Sequence, residues 1–303
     1  MFGFGGTKVP SWAQVLNAKD YEKFIKSVEE YFKQTGKMFV VGDGIVKLSD
    51  EDFEFGLSNL VQLCSRNTPK DYPAIVSHHF ELIMEGRMFE EKFNKISEDF
   101  EQAKQYIGVR LYDEEYVNVM GKDSFIKRHF AGELFEVLVW DFPTTLQNVQ
   151  HSIIDKWNVP IDMLFEVGKA NIKQNYEIIA QKIEIGDGDS IFCAEAEHFF
   201  VTNILFELVQ YPEFIGKGGM IFAVPTRSIA MIYPVADMKV VNVLSKFFIN
   251  VPRFYDKGPG SLTREIYWYH DGTIETLNYS VDGDKVQFTP SETFMALLNG
   301  GLK

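Results

Sequence analysis

Cysteine is scarce in this sequence: Cys64 and Cys193 are the only two in 303 residues. They lie far apart and form no C-x-x-C, which excludes a secreted disulfide framework and fits packed, reduced thiols. Basic charge is also short, with 30 Lys and Arg against 43 Asp and Glu and a net charge of −13. That balance argues against a protein that tracks nucleic-acid phosphates or lies on an anionic membrane surface. Long apolar runs are missing. The greasiest stretch, Phe199 to Ile215, is interrupted by Asn203, Glu207, Gln210 and Pro212, and falls short of the ~20 apolar residues that span a bilayer. No basic segment leads into an apolar one near the first residue, so no secretory signal is read there. The expected setting is cytoplasmic, with neither nucleic acid nor membrane as partner.

What is present suits a globular protein. Hydrophobic residues make up 46% and charged residues 24%, so disorder and collagen-like repeats are excluded. A chain of this length buries enough surface to need no disulfide or metal staple. The excess acid is uneven: −8 of it falls in residues 106–240, while residues 241–303 carry only −1. An electrostatically selected partner of the middle region is therefore cationic, whereas a merely solvated acidic face serves solubility.

Periodicity and turn chemistry set the expected elements. A helix capped by Asp20 carries Phe24, Ile25, Val28, Tyr31 and Phe32 on one face and ends near Gly36. Lys37–Val41 and Ile45–Leu48 flank Gly42-Asp43-Gly44 as a hairpin. A short helix covers 55–64, and a long one runs from Asp71 to about Gln105, with Phe93, Ile96, Phe100, Ala103 and Ile107 as its buried stripe. From Tyr106 onward short β-rich runs dominate: strands at 106–112 and 133–140, helices at 146–157 and 160–173, and a hairpin turning at Gly186-Asp187-Gly188-Asp189. A helix over 199–209, a strand pair at 220–224 and 228–233, and a helix over 238–249 follow. The tail reads as a meander through 264–288, then a helix opened by the capping box Thr289-Pro290-Ser291-Glu292. Hairpins outnumber β-α-β signals, so the expected class is α+β: a helical N-terminal part followed by a mixed, mainly antiparallel sheet with packed helices. Three regions are expected, 1–105, 106–250 and 251–303, with the last packed on the second.

Few residues carry recognisable chemistry. The Gly-rich runs at the N-terminus and in the hairpins do not connect a strand to a helix, so no nucleotide loop is read. His78, Glu81 and Glu85 share a helix face at metal-compatible spacing, but H-E-x-x-H is absent and no second cluster is evident, so a solvated polar face is the preferred reading. The main constellation is Glu195-Ala196-Glu197-His198, at a strand end before an apolar segment. Carboxylates beside an imidazole supply acid/base groups or ligands, and the same residues also suit simple capping of a helix end. Asp141, ending the 133–140 strand, and Arg227, in the turn after Pro225, join it if those strands are neighbours. The binding candidates are thus Asp141, Glu195, Glu197, His198 and Arg227. No G-x-S-x-G elbow occurs and Cys193 has no triad around it, so no catalytic residue, metal site or cofactor is assigned.

The order of pieces from Gly132-Glu-Leu-Phe-Glu-Val-Leu-Val-Trp-Asp141 onward is informative. It continues through Trp157-Asn-Val-Pro-Ile-Asp-Met-Leu164, Lys169-Ala-Asn-Ile172, Asp189-Ser-Ile-Phe-Cys193 and Thr202-Asn-Ile-Leu205 to Gly219-Met-Ile-Phe-Ala-Val-Pro225. Over roughly residues 106–250 it resembles the YtpQ-like bacterial family, a domain of unknown function. Phe200 stands where that pattern has an acidic residue, and Thr226 and Ser228 follow Val224-Pro225. The resemblance implies an intracellular bacterial protein and assigns no catalytic residue; Asn171 is expected to make structural hydrogen bonds near a helix end. The expected function is a non-enzymatic module binding a protein or a small ligand. The alternative is a metal-assisted or acid/base hydrolase built on Glu195, Glu197 and His198.

Overall fold

Local signals at chain reversals shape much of the architecture. In a computed structural model, residues 8–49, 53–121, 123–196, 198–257, 260–282 and 285–302 are described. The chain divides into two compact units, residues 1–92 and 93–303.

In the first unit, helix α1 (Ala18–Gln34) precedes strands β1 (Phe39–Val41), β2 (Ile45–Leu48) and β3 (Glu54–Gly56), which form an antiparallel sheet in that order. Helices α2 (Ser58–Ser65) and α3 (Tyr72–Phe93) complete it. The cap of α1 is Asn17, whose side chain accepts from the Asp20 N–H, so Asp20 sits inside the first turn and is not the cap. Its apolar stripe, Phe24, Val28 and Phe32, packs with Phe55 and Phe80 into one core. Gly36 takes φ +70 at the helix end, a conformation that costs a residue with a Cβ.

The long helix expected to reach Gln105 ends at Phe93. The Phe93 ring packs against Trp140 and Phe142 at 4.6 and 4.8 Å, and the indole N–H of Trp157 donates to the Ser97 carbonyl at 2.9 Å. These contacts tie Phe93 to the second unit, which begins at that residue. A one-turn helix α4 (Phe100–Ala103) restarts under the Asp99 cap.

The second unit holds the main antiparallel sheets. Strand β4 (Ile107–Asp113) leads through α5 (Glu114–Met120) to β5 (Lys127–Ala131), β6 (Leu134–Asp141) and β7 (Leu146–Asn148). These order as β4-β6-β5, with β7 also on β6. Then come α6 (His151–Ile154) and α7 (Ile161–Asn175), strands β8 (Ala180–Gly186) and β9 (Asp189–Glu195), three short 3₁₀ turns between Val201 and Phe214, and β10 (Met220–Thr226) and β11 (Ile229–Pro234). Helix α8 (Val240–Lys257), β12 (Tyr267–His270), β13 (Thr273–Thr276), the hairpin β14 (Asn278–Asp282) and β15 (Lys285–Thr289), and α9 (Glu292–Ala296) finish the chain. The six-stranded sheet orders β13-β12-β10-β11-β9-β8, so the fold is α+β with antiparallel sheets and the tail belongs to the second unit.

Strand β10 explains the layering. Its alternate residues serve two cores: Ile221 and Ala223 face a cluster with Val243, Phe247 and Val251 of α8, while Met220, Phe222 and Val224 face one with Val201, Ile204 and Phe214 of the 3₁₀ turns. A strand buried on both faces reads as an unbroken apolar run. The 199–209 segment was expected as an amphipathic helix. Instead residues 201–205 are all buried, and a segment covered on every side has no wet face for a regular amphipathic helix to present. On the other sheet, α7 approaches β4 at Gly168, where a Cβ would stand 2.8 Å from Val109 Cγ2 and 3.0 Å from the Gly108 carbonyl carbon.

Candidate functional site

The end of β6 places Asp141 under the C-terminus of α7. Tyr176, the residue that closes α7, donates its hydroxyl to Asp141 Oδ1 at 2.9 Å. Burial pushes the Asp141 carboxyl above its ordinary range, and the tyrosine bond only partly opposes this. Burial together with that carboxylate pushes the Tyr176 phenol upward, so the tyrosine is the neutral donor at physiological pH.

His198 meets the same tyrosine, its ring centre 5.2 Å from that of Tyr176. His198 Nδ1 accepts the Phe200 N–H at 3.2 Å, and Nε2 lies 3.4 Å from the Glu177 carbonyl oxygen. An N–H only donates and a carbonyl only accepts, so the tautomer protonated on Nε2 satisfies both partners. Both ring nitrogens are thus engaged with backbone, and the imidazole holds the loop after β9 against the end of α7.

The other candidates lie elsewhere. Glu195 is the exposed last residue of β9, in register with Ile229. Glu197 lies outside the described residues. Arg227, in the β10–β11 turn, has its guanidinium carbon 5.1 Å from the Tyr112 ring and 5.7 Å from the Tyr116 ring, and its backbone N–H donates to the Gly260 carbonyl. Tertiary structure therefore joins Asp141 and His198 through Tyr176 and gives Arg227 a separate set of partners. Among the described residues no group of three or more His, Cys, Asp or Glu side chains is placed to hold a metal ion, the His78, Glu81 and Glu85 face included. No described helix is long and apolar enough to cross a membrane.

Tyr176 also forms part of a cleft of about 370 Å³ between α7, the start of β8 and the 3₁₀ turns. Lys173, Ile178, Asn203, Phe206 and Tyr211 line it with Tyr176. Lys173 pairs with Glu207 at 3.2 Å. Lys169 is held by the buried Glu136 at 3.1 Å and lies 4.3 Å over the Phe206 ring. Asn203 is 4% exposed and donates its amide N–H to the Val109 carbonyl at 2.7 Å. That carbonyl accepts only, so the orientation of the amide is settled. Its Oδ1 is buried with no hydrogen-bond partner among the described residues, a state that ordinarily costs free energy.

Sequence reasoning assigned no site role to Tyr176 or to Asn203, the latter noted as an interruption of a greasy stretch. A polar residue inside such a stretch is itself a signal, because the segment buries it. Comparison with protein-family models, with curated proteins and with solved structures finds no match to this chain.

Proposed function

We propose that this chain is a non-enzymatic binding module that takes a small amphipathic ligand in the cleft beside α7. The single observation that carries the reading is the cleft itself, lined by Asn203, whose buried Oδ1 has no hydrogen-bond partner among the described residues. A ligand hydroxyl, amine or amide N–H would satisfy that acceptor, while its apolar part would lie on Ile178, Phe206 and Tyr211. The engagement of both His198 nitrogens with backbone, and of Asp141 with Tyr176, supports binding over acid/base catalysis. A cytoplasmic setting suits two free cysteines, and the order of motifs supports kinship with the YtpQ-like family.

The test is a ligand-observed NMR screen with a fragment set of small aromatic alcohols and amides, run against the native protein and Ile178→Trp. Ile178 is only partly buried, so the larger ring is expected to occlude the cleft without unfolding the protein. Fragments that bind the native chain should lose their signal with the variant. Equal binding to a folded variant, or no fragment binding at all, would remove the basis for the proposal.

A further inference from the structure

Strand β4 carries an arginine in the middle of an apolar run, Ile107-Gly-Val-Arg110-Leu-Tyr112. Arg110 is 6% exposed. Its Nε is buried without a hydrogen-bond partner among the described residues, and the Nε of Arg227 is in the same state. Among the described residues no carboxylate pairs with either guanidinium. Burying a charge without its counter-ion is among the most costly arrangements in a protein, and a second cation nearby adds repulsion. Burial, with the charge of Arg227 adding to it, lowers the proton affinity of Arg110.

The surroundings are built for cations and supply hydrogen-bond donors. The guanidinium carbons of Arg110 and Arg227 lie 5.3 and 5.1 Å from the centre of the same Tyr112 ring. Phe199 stands 5.5 Å from Arg110. Tyr112 stacks on Tyr116 with centroids 4.1 Å apart and planes at 18°. Aromatic faces recover part of a buried cation's lost hydration but do not neutralise it. Asn148 Nδ2 donates to the Tyr116 hydroxyl at 3.0 Å, and Arg110 Nη1 reaches the Tyr112 hydroxyl at 3.4 Å. Both oxygens thus accept from outside the pair, which leaves the phenolic protons to donate.

We propose that Arg110 and Arg227, with the Tyr112–Tyr116 pair, form a binding site for a doubly charged oxyanion of the phosphate or phosphate-monoester type. Two cations with no carboxylate partner among the described residues match a dianion; a monocarboxylate would leave one charge unmet. Guanidinium N–H groups, in the planar geometry that arginine offers to phosphate, and the phenolic protons donate to its oxygens. The site is separate from the Asn203 cleft, and its assignment stands whether or not that cleft binds a ligand.

The experiment is thermal unfolding of the full chain in phosphate, in sulfate and in acetate, each titrated to tens of millimolar at matched ionic strength. Phosphate dissociation is then measured by calorimetry for the native protein, Arg110→Met, Arg227→Met and, as a control outside both sites, Lys26→Met on the exposed face of α1. Phosphate is expected to raise the unfolding temperature saturably while acetate does not. Losing either arginine should weaken phosphate by about tenfold or more, and Lys26→Met should leave it unchanged. Sulfate acting like phosphate would assign the site to tetrahedral dianions at large; sulfate without effect would assign it to phosphate chemistry. Arg227 is only partly buried, so its variant decides the matter even if Arg110→Met does not fold. Equal shifts in phosphate and acetate, or phosphate affinity retained in Arg227→Met, would overturn the assignment.

Discussion

Asn171 offers the sharpest test of how α7 and β4 are joined. Its Nδ2 donates to the carbonyls of Lys104 and Ile107 at 2.7 and 2.8 Å, so one amide pins the start of β4 to the helix. Ile107 is in register with Trp140 on β6, which places a fluorescent reporter beside the join. Asn171→Ala deletes two hydrogen bonds worth about 1 kcal/mol each, and the half-buried position lets water reach part of the vacated space, so a loss of about 2 kcal/mol is expected. Asn171→Asp is nearly isosteric but points a carboxylate at two carbonyl oxygens. It should cost about 1 kcal/mol more than alanine at neutral pH, since an acceptor then faces acceptors. Those carbonyls would raise the folded-state proton affinity of the new carboxyl. The extra penalty is therefore present well above the unfolded value of about 4 and disappears as pH falls toward it. The assay is urea unfolding followed by Trp140 and Trp157 fluorescence, comparing midpoints at unchanged slope. If both variants unfold within about 0.5 kcal/mol of the native protein, the two hydrogen bonds do not hold the strand to the helix and the reasoning is wrong.

Other consequences follow from the same packing. Asp141→Asn keeps an acceptor for the Tyr176 hydroxyl while removing a carboxylate whose proton affinity burial raises. Stability from a raised carboxyl is present at low pH and lost as pH rises through the folded value, so the variant should melt higher than native at pH 7, with the gain shrinking toward pH ~4. A lower melting temperature at pH 7 would contradict this. Gly168→Ala would drive a methyl into Val109 and the Gly108 backbone; overpacking of about 1–3 kcal/mol against a helix-propensity gain of about 1 should leave a net loss near 1 kcal/mol, read by thermal unfolding. Gly168→Val should lose more. The thiol of buried Cys64 is pushed up to about 11 by burial, and that of Cys193 is raised too. Ellman's reagent at pH 8 should label Cys64 only as fast as the protein opens, and labelling at the rate of a free thiol would refute its burial.

Much of the secondary structure was legible because its causes are local. The β8–β9 turn places Asp187 and Gly188 at φ 56 and 74, and the β12–β13 turn places Asp271 and Gly272 at 47 and 79; Asp-Gly pairs favour that conformation wherever they occur. The capping serine of α9, Ser291, accepts from the Phe294 N–H as the capping box requires. The structural role expected of Asn171 near a helix end is present in its two bonds. Errors arose where distant contacts decided. Periodicity carried the long helix past Phe93 because Trp140, Phe142 and Trp157, which pack against that segment, come some fifty to sixty residues later in the chain. The candidate site was half legible for the same reason. A strand end and a histidine after the next hairpin marked Asp141 and His198, but their link is Tyr176, at the end of an intervening helix.

By itself the sequence determined the α+β class, the hairpin turns, most helix starts and the exclusion of a disulfide scaffold, all of which follow from composition or from neighbours along the chain. Only tertiary structure decided which polar groups are buried and what they lack. Asn203 faces a cleft because Val109 takes its amide hydrogen, and Arg110 shares a tyrosine with Arg227 because the β10–β11 turn packs beside β4. Burial and partnership are sums over residues brought close by the whole fold, and no short window of sequence contains them.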